Sequence, residues 1–289
     1  MALSIGILFA IITMFAYGTS DILVKKVTPK IGPYFSFLYR NLFITIFLFA
    51  YFFIFIRDVK QLILPWNVLV ITLAMVFAGV IAFLAFCKGI EVGKVSIISP
   101  VGHASVIITV LLALIFFKEK LTLLQGIAIA IIIAGVITVS FKYSDLKKLK
   151  LTHFAKGMPY ALVAAAGWGI TFFLLKIPII AAGPIVAALY LEGMALVYLI
   201  VALPFKKKKI LPKKPLLKYI ILWAVLTSIG TPALAAAIKY IGAALANPIA
   251  FASPFVAVVL AYLLLKERLE FNQLISVAAI IAGIIIIAL

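Results

Sequence analysis

Two residues of opposite charge stand deep inside apolar stretches of this chain: Arg40 within PYFSFLYRNLFITIF and Glu192 within AALYLEGMALVYLI. A lone carboxylate in such surroundings has to be neutralised, by a proton or by a cation. Glu192 is therefore a candidate proton-coupling group or ligand for a cationic part of a substrate, and the plainer alternative is one half of a structural ion pair. His103 heads a second group, with Ser99 one helical turn before it and Ser96 three residues further back. Imidazole titrates near neutral pH, which suits a proton relay, although a hydrogen bond to a neighbouring helix would explain it as well. Asn247 and Ser253 hold comparable positions in the second half of the chain. Pro100 and Pro248 each remove a helix hydrogen bond and free a carbonyl that a cavity-lining helix can offer to a substrate. Tyr17, Trp168, Tyr39 and Tyr190 add aromatic surface to this candidate substrate and coupling set.

What positions these groups must be a set of membrane-spanning helices. Hydrophobic residues make up 67% of the 289 positions and charged residues 12%, with a mean hydropathy of +1.33. Soluble domains are about half apolar and a quarter charged, so this chain cannot cover a water-facing surface with polar groups. At ~20 residues per crossing, ten spans are predicted: 3–23, 33–56, 66–87, 95–116, 121–141, 157–176, 183–205, 217–237, 244–265 and 271–289. The apolar runs are continuous rather than alternating, which disfavours a barrel. Glu192 then lies ~14 Å into the seventh span, near the middle of a ~30 Å core.

The formal net charge of +18 does not point to nucleic acid, because the basic residues sit in loops between apolar runs. They concentrate in the odd-numbered loops, which predicts that those loops face the cytoplasm and both termini face outside. Asp21, Lys25, Lys176 and Lys239 fall near span ends, where snorkelling to the interface accounts for them. Cys87 is the one cysteine, so no disulfide framework or clustered-cysteine metal site is expected, and its default role is a small buried hydrophobe. The first segment lacks a basic leader and a small-residue cleavage site, and is read as a first span rather than a signal peptide.

The chain also repeats itself. Residues 118–139, KEKLTLLQGIAIAIIIAGVITV, align without gaps to 266–287, KERLEFNQLISVAAIIAGIIII, at an offset of 148, and half of the positions are identical. Apolar low complexity explains matched isoleucines, but not Lys118-Glu119 over Lys266-Glu267, Gln125 over Gln273, or Gly135 over Gly283. At an offset of 151, Gly18 falls on Gly169, Lys25 on Lys176, Pro33 on Pro184 and Tyr39 on Tyr190. Two five-helix units are predicted, 1–141 and 157–289, joined by a basic loop over 142–156. Five is odd, so the second unit must enter the membrane from the opposite side, as in the inverted repeats of secondary transporters. The alignment sets Arg40 opposite Leu191, beside Glu192, and so predicts an Arg40–Glu192 pair across the pseudo-twofold. Gly135 with Ala134, and Gly283 with Ala282, offer small faces for close packing, between the halves or in a homodimer.

The Tyr17-Gly18 and Trp168-Gly169 pairs lie in the first helix of each half. The turns at 118–121 and 266–269 each precede a Gly- and Ala-bearing hydrophobic helix, and Pro100 and Pro248, with Pro254 nearby, lie in the fourth helix of each half. In these features the chain resembles, over essentially its whole length, the EamA family of the drug/metabolite transporter superfamily. The resemblance implies a ten-helix fold whose third, fourth, eighth and ninth helices line a central cavity, with no ATPase and no bound cofactor. Members of the superfamily carry amino acids and other metabolites, nucleotide sugars or sugar phosphates, so cargo is left open.

No enzyme signature appears: there is no H-E-x-x-H, G-x-S-x-G or P-loop, and the chain has two histidines in all. The sequence therefore predicts an all-α multi-pass protein of the cytoplasmic membrane, a monomer or homodimer. Its expected work is moving a small polar or amphipathic metabolite, such as an amino acid, as exporter or exchanger, with protons a candidate coupling ion. A lipid or lipid-linked head-group flippase and a non-transporting scaffold are the alternatives. Transport predicts a water-filled polar cavity at the level of His103 and Glu192, a flippase a lateral opening, and a scaffold a filled interior.

Overall fold

The computed structural model describes residues 1–92, 98, 101–140, 151–206, 210–265 and 270–289. Among them the regular structure is helical throughout: α1 Ala2–Phe55, α2 Trp66–Val92, α3 Ser105–Phe116, α4 Leu123–Val139, α5 Leu151–Leu174, α6 Lys176–Ala202, α7 Lys214–Ala250, α8 Ser253–Leu265 and α9 Phe271–Ala288. In lipid a segment must pair its own backbone, and uninterrupted apolar sequence does that as helix.

The longest helices are broken at glycines. Gly32 has φ 77° and ψ 162°, Gly183 φ 84° and ψ 172°, and Gly242 φ 78° and ψ 166°. This is backbone that side-chain-bearing residues avoid. Pro33 and Pro184 follow the first two breaks and start the next arm well, since a first-turn residue has no intrahelical partner for its N–H. Seven stretches among the described residues are long and apolar enough to cross a membrane, and Val101–Phe116 and Leu123–Val139 are shorter apolar helices. That differs from the ten spans expected. One qualifying stretch, Lys214–Leu260, runs through the Gly242 break, and the two short helices fall below spanning length. Helix α5 also begins at Leu151, inside the stretch read as connecting loop. Residues 142–150 of that loop, the turn at 266–269, Ser96, Ser99 and Pro100 lie outside the described residues.

Packing pairs elements of one unit with those of the other. Helix α1 lies along α7, α5 along α2 and α3, and α4 on α9. The contacts are reciprocal. Gly18 admits the Ser253 carbonyl and Val256, while Gly169, 151 residues on, admits the Ser105 carbonyl and Ile108. A Cβ on Gly135 would lie 2.7 Å from Ile280 Cγ1, and one on Gly283 would lie 2.6 Å from Ile132 Cγ1. Thr138 and Ser276 hydroxyls meet at 2.7 Å beside this contact. Contacts that recur with the partners exchanged are the mark of a twofold relation. The small faces of the two repeat glycines therefore meet each other within one chain. Gly135→Leu is expected to wedge α4 off α9 and to lower unfolding stability by about 1–3 kcal/mol. Thermal unfolding of the purified protein checks this, and an unchanged melting temperature would contradict the contact.

The repeated glutamines have a structural use. Gln125 N donates to Thr122 Oγ1 at 3.2 Å and Thr122 N to Gln125 Oε1 at 3.0 Å, a capping box that starts α4. Glu270 N donates to Gln273 Oε1 at 3.1 Å at the start of α9.

Candidate functional site

Where the two units meet, three helices, one of them through both of its arms, bring polar groups together around one carboxylate. Arg40 and Asn41 come from the arm of α1 after Gly32, Glu192 from the arm of α6 after Gly183, Thr231 from α7, and Tyr17 from the first arm of α1. Arg40 Nη2 donates to Glu192 Oε2 at 2.6 Å, with the two side chains 11% and 8% exposed. Asn41 Nδ2 donates to the same oxygen at 3.2 Å and to the Glu192 backbone carbonyl at 3.0 Å. Thr231 Oγ1 donates to Oε1 at 2.9 Å, and the Tyr17 hydroxyl lies 3.1 Å from Thr231 Oγ1. Arg40 Nε donates to Asn41 Oδ1 at 3.1 Å. The guanidinium lies 4.8 Å from the Phe37 ring centroid and 5.3 Å from that of Trp223, which adds cation–π attraction to a largely buried side chain.

This arrangement sets one cation and two neutral donors around the Glu192 carboxylate. Buried charges persist only on such terms, and losing one partner exposes the other to the full desolvation penalty. Asn41 and Glu192 are 151 residues apart, which is the repeat offset. Equivalent positions of the two units touch here, so the axis relating the units passes close by.

The other expected residues are dispersed. Trp168 packs on Phe86, centroids 5.0 Å apart, and His103 meets the same ring edge-on at 6.3 Å. His103 lines a small pocket with Val106, Ile133, Val136, Ile137 and Pro248. Asn247 is fully buried; its Nδ2 donates to the Ala243 carbonyl at 2.8 Å, and its Oδ1 has no partner among the described residues. Tyr39 OH donates to the Ile210 carbonyl at 3.0 Å, and Tyr190 OH donates to the Leu62 carbonyl at 2.6 Å. Each tyrosine thus fastens the other unit's loop, and neither bonds the Glu192 carboxylate. Transport of a soluble solute predicts a water-filled, polar cavity at the level of His103 and Glu192. Glu192 is instead buried, and Arg40, Asn41 and Thr231 supply the hydrogen-bond partners of its carboxylate.

One functional-looking centre was missed. Glu119, in the turn between α3 and α4, accepts from the Ala243 amide at 3.0 Å and the Ala244 amide at 2.8 Å, the first N–H groups after the Gly242 break. Lys176 Nζ donates to its Oε1 at 2.6 Å, with the lysine side chain 20% and the glutamate 11% exposed. A helix start offers unpaired N–H groups and a partial positive charge, both suited to a carboxylate. A Cβ at position 242 would stand 2.7 Å from Glu119 Oε2, so glycine is needed there for space as well as for backbone angle. Lys176 was expected to snorkel, and Glu119 draws it into this pair instead. The available signal was Lys118-Glu119 repeated at Lys266-Glu267.

Apolar helices of spanning length, arranged as two like units around a buried ion pair, define an integral multi-pass membrane protein. The chain belongs to the EamA-like transporter family, which it matches over residues 4–141 and 155–289, one match for each unit. That is a family of membrane transporters of the drug/metabolite type, not of enzymes. A protein of Methanocaldococcus jannaschii described only as uncharacterised is 34% identical over 143 residues, which cover 48% of this chain and 96% of that protein. A relative of that size corresponds to a single unit. A solved crystal structure of a protein has the same fold, at a TM-score of 0.80 over 98% of this chain and 97% of that one, with 14% sequence identity.

Proposed function

We propose that this protein is a secondary transporter that moves a small polar or amphipathic metabolite, such as an amino acid, across the cytoplasmic membrane by alternating access, as exporter or exchanger. The observation that carries the reading is the Arg40–Glu192 pair, which ties the second helix of one unit to its counterpart in the other. Counting the Gly242 break as a turn between two crossings, and the two short helices as crossings, brings the seven qualifying stretches to ten. Two twofold-related units of five crossings each must run in opposite senses, which is the inverted-repeat plan. Rocking of one unit on the other then exposes the midplane to each side in turn, and the pair is made and broken as the units move. Glu192 freed from Arg40 takes either a proton or the cationic part of a substrate. The excess of lysine and arginine in the odd-numbered loops supports a topology with those loops in the cytoplasm and both termini outside, which a C-terminal reporter fusion tests.

Closed packing around Glu192 also fits a static scaffold, which would keep its interior filled. The two readings separate on whether a buried position beside the pair, such as Thr227, becomes reachable from both faces of the membrane. A thermal-shift screen of the purified protein against amino acids, amines, nucleotides and sugars identifies the cargo.

A further inference from the structure

The connection between the two arms of α1 and the connection between α6 and α7 converge on one basic, apolar-edged face. Lys26 Nζ lies 5.1 Å from the centroid of the Tyr219 ring and Lys218 Nζ lies 5.0 Å from it, so the two ammonium groups are within about 10 Å of each other. Lys206 Nζ stands 4.3 Å over the Tyr34 ring, whose hydroxyl donates to the Leu199 carbonyl. Lys30, Lys213 and Lys214 are exposed in the same two connections. These segments supply no counter-charge of their own. The sequence has no acidic residue between Asp21 and Asp58, and none between Glu192 and Glu267. A cluster of ammonium groups with no acidic residue in the same segments raises a local positive potential that attracts an anion from outside.

The apolar side chains on this face say which anion. Phe205 is 85% exposed and Leu211 80% exposed, on either side of the lysine run that begins at Lys206. A soluble phosphate has no use for exposed phenylalanine and leucine at the rim of its site. A phospholipid has: its acyl chains cover the apolar side chains while its phosphate sits among the lysines.

We propose that this face is a binding site for anionic phospholipid, with the phosphate drawn to the ammonium groups of Lys26 and Lys218 beside Tyr219, and Phe205 and Leu211 set into the acyl chains. Both ammonium groups lie against the one tyrosine ring, which brings them together on this face. This site is separate from the Arg40–Glu192 cluster and does not depend on what the protein carries.

Native mass spectrometry of the full-length protein, titrated in detergent with phosphatidylglycerol or phosphatidylcholine, tests the site. The wild type is expected to retain phosphatidylglycerol preferentially, with the preference shrinking as salt rises. Each lysine near a phosphate layer is worth about fivefold in affinity, so Lys26→Gln/Lys218→Gln is expected to weaken phosphatidylglycerol binding on the order of 25-fold. Lys26→Arg/Lys218→Arg should keep the binding, and Phe205→Ser/Leu211→Ser should weaken it for the lipid alone. Equal retention of the two lipids by the wild type overturns the proposal whether or not the glutamine variant folds. So does unchanged binding in a folded glutamine variant. Displacement of the lipid by inorganic phosphate, with the Phe205 and Leu211 variant unaffected, would make this a soluble-anion site and overturn it too.

Discussion

Arg40→Leu is expected to abolish transport and to lower stability by about 3–5 kcal/mol, because it leaves the Glu192 carboxylate buried with only Asn41 and Thr231 to answer it. Glu192→Leu should do the same from the other side, stranding a guanidinium between Phe37 and Trp223. The double variant separates structure from function. With both charges gone no buried charge is left unpaired, and stability should return most of the way to wild type, since apolar replacements of buried pairs are often neutral. Transport should stay lost, because the joint that has to open and close is absent. Unfolding in detergent reads the first quantity and counterflow in proteoliposomes the second. Strictly additive defects in the double variant would mean that Arg40 and Glu192 do not act as a unit.

Glu119→Ala is expected to be the other large effect, again about 3–5 kcal/mol of stability. It removes two things at once: the acceptors for the Ala243 and Ala244 amides, and the counter-ion of Lys176. These two losses can be told apart. Adding Lys176→Met to Glu119→Ala removes the stranded ammonium but leaves the helix start uncapped, so recovery should be partial, with a remaining cost of about 0.5–2 kcal/mol for the missing cap. Complete recovery would show that the carboxylate serves the lysine alone. No recovery would show that the pair contributes little and the cap almost everything.

Much of this was legible in the residues, and the reason is the duplication. Apolar composition gave the membrane and the helices. The repeat offset set Arg40 beside the position opposite Glu192, and the two side chains do meet. The same offset sets Asn41 opposite Glu192 itself, a contact that was there to be read once the axis was placed between the second helices. What the sequence withheld is rotational phase. Tyr39 and Tyr190 adjoin Arg40 and precede Glu192 by two residues, yet each turns to a loop carbonyl of the other unit. Periodicity is weak where every face of a helix is apolar, so nothing local told these tyrosines from Tyr17, which does reach the cluster. Thr231 gave no warning either, being one of three small hydroxyl residues, with Thr227 and Ser228, in an apolar helix.

Lys176 departs from the snorkelling expected of it for a different reason. Position alone makes Lys176 look interfacial, and only the fold brings Glu119 to it from the end of α3. The Gly242 break is written as Ile-Gly-Ala-Ala, with no proline after it, unlike Gly32-Pro33 and Gly183-Pro184. Its backbone angles are nevertheless the same, and the capping carboxylate rather than a proline fixes the start of the following arm.

The central claim is that the packed midplane opens to each side in turn. Thr227 is 3% exposed, lies one helical turn from Thr231 on α7, and donates to the Trp223 carbonyl of its own helix at 3.0 Å. Thr227→Cys, with Cys87 replaced by alanine, puts a single thiol beside the cluster in full-length protein reconstituted in one orientation. A membrane-impermeant maleimide added to one face or to the other should label it from both, and Arg40→Leu should shift the balance between the two rates. A thiol that reacts from neither face would mean a permanently filled interior and would contradict alternating access.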